Sequence, residues 1–225
     1  MPGGPVLRSP NGLATAVTVL LAVVIAVDLF AVLADLNMYS LMGRIVSDGA
    51  GAVTQAEGDR GDALYGVSGL VQIVTLLATA VVFIVWFHRV RVNAEVFAPH
   101  AFTKGRGWAI GAWFVPIGNL FLPRRIVREI WDASAQAAPD GSWRQVSQVP
   151  LRLWWSLWIA STVLGRIAGS VYSSAEDADA IQQASAVMSA SDLLDVTAAV
   201  CAILFVRKLS GMQHIKATQG PVALA

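Results

Sequence analysis

Residues 64–87 read LYGVSGLVQIVTLLATAVVFIVWF, an apolar run that contains no charged side chain. At a rise of about 1.5 Å per residue, a helix of this length crosses a hydrocarbon core of about 30 Å. The run is followed by HRVR at residues 88–91, and basic residues next to a span are typical of its cytoplasmic end. This stretch therefore predicts a transmembrane helix whose C-terminal end lies in the cytoplasm.

The composition extends this prediction to the whole chain. Of its 225 residues, 56% are hydrophobic and 14% are charged, whereas a soluble domain carries about 25% charged residues. The net charge is +1, so nucleic acid is not expected as a partner. Cys201 is the only cysteine, which excludes an intrachain disulfide and a cysteine-rich metal site. We predict a single membrane domain over residues 1–225.

Three further apolar runs are long enough to span a membrane, at residues 13–36, 151–172 and 187–206. The first is too long for the core of a secretion signal, and it contains Asp28. The connections after the first and third spans are acidic, whereas the chain after the second span, before the third and after the fourth is basic. Because short basic loops stay in the cytoplasm, we predict a cytoplasmic-membrane protein with both termini inside.

A fifth apolar segment, residues 108–123, is short for a span, contains Pro116 and Asn119, and ends in Pro123. If it crossed the membrane, the arginine-rich stretch that follows would be translocated, against the positive-inside rule. We therefore predict a re-entrant segment. Residues 124–137 then predict an amphipathic helix in the cytoplasmic interface. The predicted fold class is an all-α membrane protein with four transmembrane helices, this proline-broken segment and the interfacial helix.

A polar layer is predicted within the spans, because several polar residues lie about 18–24 Å from the cytoplasmic end of their helices. Its members are Asp28, Gln72, Arg166, Asp192 and Asp195. Charged side chains at this depth are costly and pair with one another or face water. Two interpretations stay open: a structural network in which Arg166 bridges Asp28 and Asp195, or a proton or cation site.

Small residues recur at every fourth position of the third span, at Ser161, Gly165 and Gly169. Such a stripe lets two helix backbones approach closely, either within one chain or between two copies. The three histidines do not have the spacing of metal ligands, and no catalytic motif is found. We therefore predict no catalytic residue, no cofactor-binding residue and no metal site.

Residues 86–94 read WFHRVRVNA, and the residues after them form a recognisable pattern: Gly107-Trp108, Gly111, Trp113, Pro116, Asn119, Pro123 and Ile130-Trp131. This pattern resembles a family of small, mostly actinobacterial membrane proteins described as domain of unknown function 4328. The resemblance covers roughly residues 60–215. It implies a multi-pass membrane protein without an established activity, so it assigns no site residue.

The sequence favours a non-enzymatic accessory or scaffold protein that lies in the lipid bilayer and binds another membrane protein or a second copy of itself. The alternative is a channel or transporter for a proton or small cation, which uses the Asp28, Arg166 and Asp195 layer and the break at residues 116–119. A membrane-embedded enzyme is the third hypothesis, and the lack of carboxylate companions for the histidines weighs against it.

Overall fold

The computed structural model of the protein describes residues 7–136 and 146–218. These residues form helices, turns and irregular connections but no strand. The long helices are α1 (Asn11–Asp48), α2 (Gln55–Phe97), α5 (Val149–Ser173) and α6 (Ala178–Thr218), and the short ones between α2 and α5 are α3 (Trp108–Gly111) and α4 (Leu122–Ser134).

Within the described residues, α1, α2 and α6 are long and apolar enough to cross a membrane. Helix α5 has the length for a span, but it carries Arg152 and Arg166, which lower its mean hydropathy. The all-helical class and the capacity of these helices to span a membrane agree with the sequence prediction. The number of four spans stays a prediction.

Three of these helices extend well beyond the predicted spans, because hydropathy marks only the apolar part of a helix. Once a helix has nucleated, each added residue gains a hydrogen bond at little cost, so polar turns continue it.

The connection between α1 and α2 is short. It turns at Gly49, whose φ is 88°, and ends in a capping box in which Thr54 Oγ1 accepts from the Glu57 backbone N–H and Glu57 Oε2 accepts from Thr54.

The chain divides into two compact units, and the long helices contribute to both. One unit comprises Met1–Leu20, Ala78–Trp155 and Ala202–Ala225, and the other comprises Leu21–Leu77 and Ser156–Cys201. We call the first the aromatic unit and the second the carboxylate unit, after the side chains that fill them.

The interior of the aromatic unit is built from stacked rings. Trp154 stacks on Phe205 with 4.4 Å between ring centroids and 5° between ring planes. Trp131 stacks on the same phenylalanine at 6.1 Å, and Trp86 meets it edge-on at 5.7 Å. Offset-stacked and edge-to-face pairs are the favoured geometries of aromatic rings. Phe205 is therefore the centre of this core.

Helix α4 begins at Leu122 and ends at Ser134, whereas residues 124–137 were expected in it. Ala135 is extended and ends the helix, and residue 137 lies outside the described part of the chain. Its predicted apolar face is buried, and Trp131 of that face packs on Phe205. Protein therefore covers this apolar stripe, although the same amphipathic pattern would also suit a helix that lies against lipid. The location of α4 at the membrane interface stays a prediction.

Residues 108–123 contain no continuous helix. α3 is followed by turns and by a 3₁₀ turn at Gly118–Leu120, with the chain reversal near Pro116 and Asn119. Trp113 anchors the segment by meeting the rings of Phe83 and Phe87 edge-on at 5.7 and 5.6 Å. Pro123 belongs to the first turn of α4, where its missing N–H has no helical partner to lose. The backbone break is thus observed, and re-entry into a membrane stays a prediction.

Candidate functional site

Helices α1 and α6 place three buried carboxyl groups in the carboxylate unit. Asp28 and Asp35 lie seven residues apart on α1 and therefore share one face of the helix. They are 6% and 2% exposed, and Asp192 of α6 is also buried. Acidic side chains are rarely buried to this extent without a cationic partner. This burial is the first sign of a functional site.

Gln72 of α2 connects two of these carboxylates. Its Nε2 donates to Asp28 Oδ1 and to Asp192 Oδ1, each at 3.1 Å. The side-chain amide has two N–H donors, so each carboxylate receives one of them. The second oxygen of Asp28, Oδ2, is buried and accepts no hydrogen bond from a described residue.

The carboxyl groups of Asp35 and Asp192 lie within hydrogen-bonding reach of each other. Ser189 Oγ also donates to Asp35 Oδ2, at the long distance of 3.5 Å. An ionised carboxylate only accepts hydrogen bonds, so two carboxyl groups bond to each other only when one of them carries a proton. This pair is therefore a place where a proton can be held.

Asp195 is half-buried and lies within hydrogen-bonding reach of Ser161 on α5. We define the carboxylate cluster as Asp28, Asp35, Asp192 and Asp195 together with Gln72. The stacked rings of Tyr65 and Tyr172 also belong to this unit, with centroids 4.7 Å apart. Of the predicted polar layer, Asp28, Gln72 and Asp192 are joined by hydrogen bonds.

Arg166 does not take part in the cluster, contrary to the predicted bridge between Asp28 and Asp195. Its side chain is exposed, and the ion pairs among described residues involve Glu57, Glu95 and Glu129 instead. Helical geometry explains the difference. Arg166 follows Ser161 by five residues, which at about 3.6 residues per turn places it on the far side of α5 from the serine that faces Asp195.

Asp35 is the member of the cluster that sequence reasoning missed. It lies one residue before the end of the predicted span, where the sequence alone does not distinguish a buried aspartate from one at the membrane surface. The available signal was its spacing, because Asp28, Ala31, Asp35 and Met38 form a buried stripe at helical intervals along α1.

The cluster does not have the geometry of a multidentate metal site. Within the residues that the structure describes, no group of three or more His, Cys, Asp or Glu side chains is arranged to hold a metal ion. A proton needs only one carboxylate oxygen, whereas Ca²⁺ takes about six to eight oxygen ligands.

The small-residue stripe of α5 is partly buried. Ser161 is buried, and a Cβ atom at Gly165 would lie 3.5 Å from Ser191 Oγ of α6. A Cβ atom at Gly169 would meet no atom within 4 Å. A Cβ atom at Gly165 would thus make an ordinary van der Waals contact, and a role of the stripe in close helix packing stays a prediction. Contact between two copies stays a prediction.

The segment at residues 86–94 lies in the aromatic unit, where its polar side chains contact their neighbours. Arg91 is buried, donates to Glu95 Oε2 and to the Lys104 carbonyl at 2.8 Å each, and lies over the Phe102 ring at 3.6 Å. Arg106 also binds Glu95, whose carboxylate raises the pKa of this guanidinium. The charged groups of Arg91, Glu95 and Arg106 thus form ion pairs with one another.

A polar network fixes the other end of the motif. Asn93 Nδ2 donates to the Arg8 carbonyl at 2.8 Å and to Gln213 Oε1 at 3.2 Å. Gln213 Nε2 in turn donates to the Val90 carbonyl and to Ser134 Oγ. Because every one of these buried groups has a partner, the network holds α2, α4 and α6 in one arrangement.

A family model described as Domain of unknown function (DUF4328) matches residues 50–211. The chain belongs to the DUF4328 family. No curated protein and no solved structure matches the chain. In this DUF4328 protein the matched region contains Gln72, Asp192 and Asp195, whereas Asp28 and Asp35 lie on α1, before the match begins. The carboxylate cluster therefore combines side chains from inside and outside the family match.

Proposed function

We propose that this DUF4328 protein is a multi-pass protein of the cytoplasmic membrane that takes up and releases a proton at the carboxylate cluster. Its spans are α1, α2, α5 and α6, with both termini in the cytoplasm, in keeping with the charge distribution of the connections. Leu70, Ile73, Leu76 and Leu77 of α2 are exposed, and an apolar face of this extent is suited to lipid rather than water.

The single observation that carries the proposal is the burial of Asp28, Asp35 and Asp192 together, with no ion pair to a basic side chain of the described residues. Asp28 retains an oxygen that no described group satisfies, and Asp35 and Asp192 face each other. Several negative charges this close, in a medium of low dielectric constant, repel one another strongly and must be neutralised. A proton neutralises them without the ligand geometry that a metal ion requires.

The groups that face the cluster are acidic, amide or hydroxyl groups on every helix around it. α1 supplies Asp28 and Asp35, and α2 supplies Gln72 and Tyr65. α5 contributes the hydroxyl groups of Ser161 and Tyr172. α6 contributes the hydroxyl group of Ser189 and the carboxyl groups of Asp192 and Asp195. Arg166 is exposed, and such a side chain on a transmembrane helix extends towards the headgroups. Among the residues that the structure describes, the cluster therefore has no ion-pair partner.

The test is proton flux in proteoliposomes that contain an entrapped pH-sensitive dye. We expect the native protein to carry protons down an imposed gradient, and Asp28→Asn and Asp192→Asn to lower the rate at least tenfold. Asp59→Asn is the matched control, because Asp59 is an exposed aspartate on α2. Replacing sodium with choline in the buffer leaves the flux unchanged if the ion is a proton.

The absence of flux in folded native protein would contradict proton transport and favour the accessory or scaffold role. That role, the lack of enzymatic activity, an actinobacterial source and every partner, the lipid bilayer included, stay predictions. Flux that requires sodium would instead assign the cluster to a monovalent metal cation.

A further inference from the structure

The connection between α3 and α4 exposes large apolar side chains. Phe114, Ile117 and Phe121 are 72%, 76% and 66% exposed, although the neighbouring Ala112 and Trp113 pack into the aromatic unit. Large apolar side chains concentrated in one short segment mark an interaction surface. The segment is thus anchored to the aromatic unit by Ala112 and Trp113, whereas its other large apolar side chains are exposed.

Ile117 occupies a strained backbone conformation at the tip of this segment. Its φ is 62° and its ψ is −41°, and the Gly118 N–H donates to the Pro116 carbonyl at 2.6 Å. These are the features of a γ-turn of the rare and strained kind. A β-branched residue is poorly suited to this position, and strain of this type concentrates at functional sites.

Directly after the apolar tip, α4 presents a row of arginines. Arg124, Arg125 and Arg128 are exposed, and they lie opposite the buried face that contains Ile126 and Ile130. Arg125 Nε is 3.7 Å from Glu129 Oε1, which is a long and weak ion pair. Arg124 and Arg128 form no ion pair with a described residue, and the weak ion pair of Arg125 can be exchanged for another anion.

We propose that Phe114, Ile117, Phe121, Arg124, Arg125 and Arg128 form a binding surface for anionic phospholipid, which we call the lipid-binding surface. The apolar side chains enter the acyl region, and the arginines bind the phosphates of the headgroups. The two kinds of side chain follow one another within a single stretch of chain, which matches the order of acyl chain and headgroup in a lipid. A free phosphate would use the arginines alone.

The charge of the surface selects the class of lipid. Guanidinium groups bind phosphate oxygens with two parallel hydrogen bonds, and anionic leaflets attract such basic rows strongly. The surface belongs to the basic part of the chain that the positive-inside rule assigns to the cytoplasm, where anionic lipids concentrate. This proposal does not depend on the carboxylate cluster, and Asp28→Asn is expected to leave it intact.

The experiment measures the affinity of the purified full-length protein in detergent for phosphatidylglycerol and for phosphatidylcholine, by native mass spectrometry of the lipid that remains bound. We expect the native protein to prefer phosphatidylglycerol at least tenfold. The triple variant R124Q/R125Q/R128Q is expected to bind it roughly tenfold to a hundredfold more weakly, because each base near an anionic headgroup contributes.

Two further variants separate the parts of the surface. R152Q/R207Q/K208Q is the matched control, since it removes the same charge from exposed positions on α5 and α6, and it is expected to keep the preference. F114S/F121S is expected to weaken both lipids while keeping the preference between their headgroups. Circular dichroism of each variant checks that its helix content is unchanged.

A native protein without a preference for phosphatidylglycerol would overturn the proposal. So would an equal loss in R152Q/R207Q/K208Q, because the attraction would then belong to the overall positive charge. Displacement of the lipid by inorganic phosphate at equal concentration would also overturn it, since the arginines would then form a site for a free anion.

Discussion

The aromatic unit and the carboxylate unit fill their interiors in opposite ways. The first is packed with the rings of Trp86, Trp131, Trp154 and Phe205, and its buried Gln213 has partners on several helices, although Trp131 Nε1 and Glu129 Oε2 are buried without a hydrogen-bond partner among the described residues. The second buries aspartates together with serines, and one oxygen of Asp28 is without a partner among the described residues.

The aromatic unit contains the interactions that stabilise the fold, whereas the carboxylate unit contains the buried groups that we propose take part in chemistry. Stacked rings and satisfied networks fix one arrangement of helices, whereas buried carboxylates without a base cost stability and persist where a protein uses them. Residues 86–94 lie in the aromatic unit, where Trp86 donates to Ser210 Oγ and Arg91 donates to Glu95. The carboxylate unit is the part of the molecule in which several carboxyl groups are buried close together, and we propose that it exchanges a proton there.

The largest effect is expected at the centre of the aromatic unit. Phe205→Ala removes a ring that contacts three tryptophans, and we expect a loss of about 3–5 kcal/mol in the free energy of unfolding. Leu204→Ala is the control, because Leu204 is exposed on the same helix. The measurement is unfolding in mixed detergent micelles. Equal losses in the two variants would contradict a core centred on Phe205.

A smaller loss is expected when the bridge of the carboxylate unit is removed. Gln72→Leu leaves Asp28 and Asp192 without their amide donor, and we expect a loss of about 1–3 kcal/mol in the same assay. Gln183→Leu removes a comparable but exposed hydrogen bond to Asp179 and is the matched control. A loss no greater than that of the control would show that Gln72 does not bridge the carboxylates.

The sign of the effect should reverse when a carboxylate itself is neutralised. Asp28→Asn keeps the shape of the side chain and removes a buried charge, so we expect no loss of stability, or a gain of up to about 1 kcal/mol. Asp59→Asn serves again as the exposed control. A loss greater than about 1 kcal/mol would mean that the Asp28 charge stabilises the fold. It would contradict the view that the buried carboxylates cost stability.

The smallest effect is expected at Arg166. Because its side chain is exposed and outside the cluster, Arg166→Gln should leave the unfolding midpoint unchanged. A strong destabilisation would support the buried ion-pair network predicted from the sequence, in which Arg166 contacts Asp28 or Asp195.

Much of the fold could be predicted from the sequence, because hydropathy and helical periodicity are local signals. They predict the apolar centres of α1, α2 and α6 and the buried face of α4 that contains Ile126 and Ile130. They do not say whether protein or lipid covers that face, since both are apolar surroundings. The packing of Trp131 on Phe205 therefore required the tertiary structure.

The site could be predicted in part for a related reason. Counting residues along a span gives depth, and it brought Asp28, Gln72 and Asp192 to one level. It does not give the direction in which a side chain points, so Arg166 was expected in the cluster although it lies on another face of α5. Asp35 was missed because the predicted span ended beside it, whereas α1 continues to Asp48.

The most direct test of the account is an infrared difference spectrum of the protein in lipid between acidic and alkaline buffer. We predict the carbonyl band of a protonated carboxylic acid that persists at neutral pH, is lost or shifted in Asp35→Asn and Asp192→Asn, and is unchanged in Asp59→Asn. A native spectrum without such a band at neutral pH, or with one that all three variants leave unaltered, would contradict a proton held in the carboxylate cluster.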